Sequence, residues 1–163
     1  MVRFKNRYLL VELAPFSDGC LSTYEISSAA SKALTATNIA THLRQAIGMH
    51  FGQVGTALVS QPLSVKYCNA TTGTLIIRTG REQVPMLWAT LTLLSSIPEA
   101  SANEHWLWKV IHVAGTIKSA QKEAMRHSMR RIREMPTGSG ADQKQRLAEL
   151  TAKCSAALRK VDA

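Results

Sequence analysis

The sequence predicts an α+β domain with the element order βαββαβ, in which two helices pack on one face of an antiparallel sheet and additional helices follow at the carboxyl end. Ferredoxin-like and RNA-recognition folds share this order. Three observations predict it. Apolar residues alternate in four short segments, and they recur at helical spacing in two longer segments. Turn-forming residues separate these segments, whose succession matches the βαββαβ order.

The first strand and helix are predicted in the amino-terminal third of the chain. Residues 8–13 form the strand, which ends before Pro15. The Ser-, Ala- and Thr-rich residues 22–37 fit either a short helix or a surface connection. Apolar residues then recur every three or four positions, which predicts an amphipathic helix that Gly48 or Gly52 would end.

A β-hairpin and a second helix come next. The hairpin joins strands at residues 58–68 and 74–78 through a short polar turn. Residues 84–97 have helical length, with Pro85 fitting the first turn and Pro98 the end.

The carboxyl-terminal part is predicted to hold a strand and two helices. Residues 107–114 alternate between two faces and predict a central strand. A long helix runs from residue 116 to about residue 135, the Pro- and Gly-containing segment 136–140 breaks it, and a last helix is predicted at residues 142–158.

Charge is segregated along the 163 residues, whose net charge is +9. Residues 1–7 hold three cations and no acid, residues 8–115 balance six cations with six acids, and residues 116–163 hold eleven cations against five acids. Such segregation favours a neutral body with ends that face a polyanion. We therefore expect a basic arm before residue 8, an RNA-recognition-like domain at 8–135 and a basic helical tail at 136–163.

No apolar run is long enough to span a membrane, and the apolar stretch near the amino terminus is too short for a signal peptide. We therefore expect a protein that stays inside the cell and has no membrane partner. Cys20, Cys68 and Cys154 lie far apart, without zinc or disulfide spacing, so ordinary thiols are expected.

The helix after Gly115 carries the sharpest functional pattern. Cations recur there every four residues and so form one stripe roughly 18 Å long, along which a phosphate backbone could lie. Neighbouring apolar residues, Ile117, Met125, Met129 and Ile132, would pack against the body. The alternative interpretation is an ordinary solvated helix face. Only two acids oppose six cations here, which favours the polyanion site. The predicted RNA-binding residues are Arg3, Lys5, Arg7, Thr116, Lys118, Lys122, Arg126, Arg130, Arg131 and Arg133.

Thr116 belongs to this set because a helix amino terminus binds anions through free N–H groups, although a Gly-Thr pair is more often only a cap. The predicted sheet lacks the aromatic residues that stack bases, which favours recognition of backbone or shape. Trp88, Trp106 and Trp108 are expected in the core or at an interface.

Catalytic patterns are absent from the sequence. The five histidines show no metal-ligand spacing, and His112 is expected to be a hydrogen-bonded core residue. Glu12, Glu82 and Glu104 stand alone near the ends of elements, where surface or capping roles suffice. We therefore expect no catalytic residue, no metal ligand and no cofactor on the protein itself.

Three stretches carry a family resemblance. The sequences MVRFKNRYLLVEL, VKYCNATTG and IHVAGTIKSAQK, at residues 1–13, 65–73 and 111–122, resemble the opening segment, the hairpin and a strand-to-helix signature of the eukaryotic Rpp14/Pop5 family. That family comprises protein subunits of ribonuclease P and ribonuclease MRP. The likeness extends in pieces over residues 1–133.

The resemblance implies a non-catalytic subunit in tRNA 5′-end maturation and rRNA processing, located in the nucleus and nucleolus. Its implied partners are ribonuclease P RNA or MRP RNA, a related small subunit and an Rpp-thirty type subunit, with catalysis by the RNA and its bound magnesium. Two alternatives stay open: a related smaller Rpp or Pop subunit of the same particle, and a small ferredoxin-like enzyme or ligand-binding domain.

Overall fold

A computed structural model describes most of the chain between residues 5 and 159. The described residues are 5–17, 20–21, 34–70, 72–97, 105–134, 149, 151–153 and 155–159. The strands are β1 (Asn6–Ser17), β2 (Cys20–Leu21), β3 (Ser64–Asn69), β4 (Thr74–Gly80) and β5 (His105–Ala114). The helices are α1 (Ala36–Ser60), α2 (Val84–Leu93) and α3 (Ile117–Glu134), and a 3₁₀ turn (Arg81–Gln83) precedes α2.

The sheet has the strand order β3-β4-β1-β5, with all neighbours antiparallel, and β2 pairs with the far end of β1. This arrangement confirms the predicted α+β fold and its βαββαβ order. The prediction of a central last strand is wrong. In the described part of the chain β5 pairs with β1 alone and so lies at the edge of the sheet. Strand β1, which has β4 on its other side, is a central strand.

Helices α1 and α2 cover one face of the sheet. Leu9, Val11 and Leu13 of β1 point to this face, as alternate residues of a strand must. They meet Leu43 and Ile47 of α1, in a core that continues through Leu75, Ile77, Leu87, Leu91, Trp106 and Trp108. Removing a side chain from such a core costs about 2–5 kcal/mol, so this cluster sets the stability of the domain.

Helix α3 covers the opposite face. Leu10 and Tyr67 point to this side together with Ile76, and the small residues Ala120 and Ala124 of α3 pack on them. Leu158, in a helical stretch near the carboxyl end, belongs to the same cluster, and its carbonyl oxygen accepts a hydrogen bond of 2.9 Å from the Gln121 side chain. The sheet is therefore buried on both faces.

A β-bulge changes the faces of β5. Leu10 pairs with His112 but Val11 pairs with Val110, so Ile111 is an extra residue between them. The strict alternation predicted from the sequence is broken at this point. As a result Val110 and Val113 pack on the same core, while His112 is exposed instead of lying in the core as predicted.

Two of the three tryptophans are buried, as predicted. Trp106 and Trp108 are both 3% exposed, and Trp108 Nε1 donates a hydrogen bond of 3.1 Å to the Ser96 carbonyl oxygen. The His42 ring stacks on Trp108, with 6.4 Å between ring centroids, and burial lowers the pKa of His42. Trp88 differs, because 45% of it is exposed on α2.

The helix boundaries differ from those predicted. Helix α1 continues through Gly52 to Ser60, so residues 58–60 are helical and the next strand begins only at Ser64. Gly52 takes φ 66° and ψ −162°, a kink that joins two helical halves. Helix α2 ends at Leu93, and the predicted remainder to residue 97 is not helical.

Several predictions fall on the rest of the chain. Arg3, residues 22–33, Pro98 and the break at 136–140 lie outside the described residues. Within the predicted last helix, the described residues 149, 151–153 and 155–158 are helical. Cys68 is a free thiol that donates to the Leu34 carbonyl oxygen at 3.0 Å, and burial raises its pKa to about 11. Among the described residues, no helix has the length and apolar character needed to cross a membrane.

We predict that Gly52→Ala lowers the free energy of unfolding by about 2 kcal/mol, because the backbone region at this kink is essentially restricted to glycine. A Cβ would meet no atom within 4 Å, so the cost comes from the backbone alone. Urea unfolding of both proteins measures it. Gln53→Ala, at the exposed neighbouring position, is the control and should change stability by less than about 0.5 kcal/mol. If Gly52→Ala leaves the free energy of unfolding unchanged, the backbone at the kink is not strained for other residues.

Candidate nucleic-acid interface

Helix α3 has one face on the sheet and one in solvent. The buried residues recur every three or four positions at Ala120, Ala124, Ser128 and Arg131. Each cation of the predicted stripe lies two positions from a buried residue, beginning with Lys118 and Ala120. Two residues correspond to about 200° around a helix, so the cations lie on the side opposite the buried residues. All four are exposed: Lys118, Lys122, Arg126 and Arg130. The predicted stripe therefore exists as an exposed surface, which we call the basic stripe.

The basic stripe is available to a ligand. In the described part of the chain, Lys118, Lys122 and Arg130 form no ion pair. Arg126 pairs with Glu123 at 3.2 Å, but its side chain is 65% exposed, and exposed pairs of this kind contribute at most about 0.5 kcal/mol. An incoming phosphate can therefore replace Glu123 at little cost.

The start of α3 brings the two predicted basic regions together. The Thr116 hydroxyl accepts a hydrogen bond of 3.3 Å from the Ser119 N–H, so this side chain caps its own helix. A Cβ added to Gly115 would lie 3.7 Å from Nη1 of Arg7, and that nitrogen donates to the Asn6 carbonyl oxygen at 3.0 Å. The end of the amino-terminal arm thus lies beside the first turn of the basic stripe.

Arg131 does not belong to the basic stripe. It is 8% exposed and its Nη1 pairs with the Glu12 carboxylate of β1, which also lies 3.4 Å from His127 Nε2. RNA contact by Arg131 does not fit this position, because its guanidinium faces the protein interior. The prediction that Glu12 stands alone is wrong for the same reason. We call these three residues the Glu12 cluster.

The predicted packing of the apolar residues of α3 is confirmed in part. Met125 packs against the cluster around Leu10 as predicted, whereas Met129 is 36% exposed. Ala120 and Ala124 are fully buried, and such small side chains let the helix lie close to the sheet. For two predicted residues the side chain lies outside the described part, namely Arg3 and Arg133.

The covered sheet limits how RNA can be recognised. RNA-recognition domains stack bases on aromatic residues of an open sheet face. Here α3 lies on the face opposite α1 and α2, and Tyr67 on that face is buried against Ala120 and Leu10. Because this sheet face is covered, it offers no open surface on which bases could stack. The exposed cations suit contacts to phosphate groups.

The described residues hold no group of three potential metal ligands. Sequence reasoning missed the Glu12 cluster. A signal was present, since His127 and Arg131 are four residues apart in the same helical row as Ala120 and Ala124. Glu12 likewise follows Leu10 by two positions and so points to the face of the sheet that α3 covers.

The fold and this surface define a class, an α+β protein that is closed on both sheet faces and carries one exposed basic helix. The family model of the Rpp14/Pop5 family matches residues 7–125, and the chain belongs to this family. The matched region includes the sheet, α1, α2 and the first half of the basic stripe.

Curated relatives cover most of the chain. A protein of Schizosaccharomyces pombe named ribonuclease P/MRP protein subunit POP5 is 33% identical over 133 residues, which are 81% of this chain and 91% of the relative. Proteins of the same name from Danio rerio and Homo sapiens are 30% and 28% identical, over 83% and 81% of this chain and 75% of each relative.

A solved structure also resembles the chain. A chain in the cryo-EM structure of yeast ribonuclease MRP aligns with a TM-score of 0.49 at 10% identity, over 96% of this chain and 98% of that one. Likeness at this level is distant, and the family assignment stands on the sequence matches.

We predict that Glu12→Gln lowers the free energy of unfolding by about 3 kcal/mol, because it leaves the buried Arg131 charge without its carboxylate. Chemical denaturation of the two proteins gives the difference. The matched control is Glu123→Gln, which removes an exposed carboxylate from α3 and should cost less than about 0.5 kcal/mol. If both variants lower the free energy of unfolding by the same small amount, the Glu12 cluster does not hold α3 on the sheet.

Proposed function

We propose that this protein is a non-catalytic subunit of the ribonuclease P and ribonuclease MRP ribonucleoproteins, and that it binds their RNA through the basic stripe and the amino-terminal arm. Family membership and the shared name of the relatives support the assembly. The observation that carries RNA binding is the basic stripe itself, four exposed cations on the outer face of α3.

The binding mechanism is electrostatic. Four cations over roughly 18 Å neutralise phosphates of a backbone that lies along the helix, and the counterions released drive binding. Arg7 and Lys5 extend the contact beyond the first turn of α3. Such contacts position the RNA without selecting its sequence, so specificity comes from RNA shape and from the other subunits.

Chemistry falls to the RNA in this proposal. The RNA, with bound magnesium, cleaves phosphodiester bonds in tRNA 5′-end maturation and rRNA processing, while the protein contributes position and charge. The further partners we propose are a related small subunit and an Rpp-thirty type subunit, and the proposed location is the nucleus and nucleolus. The names of the relatives favour this over a smaller Rpp or Pop subunit.

Purification of the tagged protein from its own cells tests the assembly. We expect one or two dominant structured RNAs, together with RNA-dependent cleavage of precursor tRNA 5′ ends. Sequencing of the co-purified RNA and a cleavage assay before and after nuclease treatment measure both. Recovery of no particular RNA would overturn the proposal.

We predict that replacing the four stripe cations by Ala weakens RNA binding and lowers the slope of log K against log salt by about 2.8, since each contact to a single strand contributes about 0.7. Alanine favours helix, so α3 should persist, which circular dichroism checks.

A charge-matched pair of variants separates position from net charge. Lys122→Ala/Arg130→Ala removes two stripe cations, and Lys66→Ala/Lys109→Ala removes two exposed cations of β3 and β5. Binding measured across a salt series should weaken in the first and stay nearly constant in the second. Equal losses would reduce the basic stripe to general electrostatic attraction.

A further inference from the structure

An open groove lies at one end of the sheet, on the side of β1 away from β5. It is bounded by the start of β1, the end of α1, the end of β4 and the 3₁₀ turn, and its volume is about 740 Å³. Sites that hold small ligands range over about 300–1,000 Å³, so the groove is wide enough for a nucleotide unit. We call it the end groove.

The end groove is positively charged. Lys5, Arg78 and Arg81 line it, and Glu82 contributes the one carboxylate among its described lining residues. None of these three cations forms an ion pair with the described residues. Within the described part of the chain, Arg78 Nε is shielded from solvent and has no hydrogen-bond partner, so the positive charge of this side chain is not offset by a neighbouring acceptor at that atom. The lining therefore suits an anion.

The other lining residues point to a phosphate backbone instead of a base. Among the described residues, no aromatic ring lines the groove, so the described lining offers phosphate and sugar contacts but no ring for a base to stack on. The lining contributes amide groups, from Asn6 and Gln83 among others, and a small apolar surface from Leu58 and Pro62. Amides and cations bind phosphate and sugar oxygens, which every nucleotide carries.

The position of the end groove connects it with the basic stripe. Asn6 of β1 pairs with Gly80 at the end of β4, and Tyr8 pairs with Ala114 at the end of β5. Strands lie about 4.8 Å apart, so the ends of β4 and β5 are about 10 Å apart across β1. Arg7 lies between them, beside Gly115, which is two residues before the start of α3. Cations therefore follow one another from the groove to the stripe.

We infer that the end groove is a second phosphate-backbone site, in which Arg78 and Arg81 with Lys5 hold the continuation of the RNA strand that lies along the basic stripe. This inference rests on the proposed function and adds the path of the strand. The RNA turns around the end of the sheet and contacts both layers of helices.

The size of each contact can be bounded. Non-specific affinities of about 10⁻⁴–10⁻⁶ M spread over about six to ten phosphate contacts correspond to roughly fivefold per contact. We expect Lys5→Ala/Arg81→Ala to weaken binding of the full chain to an oligouridylate strand on the order of twentyfold, and to lower the salt slope by about 1.4.

A variant that is expected to strengthen binding separates the loss of a contact from misfolding. Glu82→Gln removes a carboxylate from the groove and should strengthen binding about twofold, since an exposed charge acts weakly through water and salt. Destabilised protein binds less, so a gain cannot come from damage. The control is Lys66→Ala/Lys109→Ala, which removes the same charge at two exposed positions that belong to neither the end groove nor the basic stripe.

The outcomes separate the two proposals. Weaker binding by Lys5→Ala/Arg81→Ala than by the control, with a gain for Glu82→Gln, supports the end groove. If only the stripe variant Lys122→Ala/Arg130→Ala loses affinity, the groove inference is overturned and the proposed function stands. If none of the variants differs from the control, both are overturned.

Discussion

The ion pair between Glu12 of β1 and Arg131 of α3 joins the buried side of α3 to the sheet. A carboxylate on a buried sheet face is costly unless a cation meets it, and Arg131 is the cation that the helix brings there. Once that contact is made, the alanines of α3 lie on the sheet and the four stripe cations lie in solvent. The side of α3 that holds this pair and the alanines meets the sheet, which leaves the stripe cations on the exposed side of the same helix.

Covering the second face of the sheet changes what the fold can recognise. An open sheet offers a flat surface for bases, whereas this one is sealed by α3 and by the cluster around Leu158. In the described part of the chain, exposed cations lie on the outside of the helix and at the end of the sheet. The function of a βαββαβ scaffold is set by the surfaces that lie on it, and here those surfaces are charged.

Local patterns predicted most of the fold and part of the site. The element order and the hairpin follow from alternation, and the four-residue spacing predicts the stripe correctly because rotation along a helix is regular. Two predictions failed for different reasons. Glycine often ends a helix, yet Gly52 takes a backbone conformation that joins two helical halves, so α1 continues past it. Arg131 follows Arg130 by one residue, which is about 100° of rotation and enough to turn it from solvent to the interior. The direction in which a charge points becomes visible only when its partner from β1 is placed.

The register of β1 has a consequence for synthesis on the ribosome. Leu9 pairs with Ile77 on one edge and Val113 on the other, so the first strand to emerge waits for both of its neighbours. At about 5–20 residues per second, the interval between those two partners alone is about 2–7 s. During this interval the edge of β1 that will pair with β5 has no partner. An unpaired edge of an apolar strand can pair with a strand of another chain. Truncated forms that end before β5 would keep this edge unpaired, and a chain of that kind is prone to aggregate.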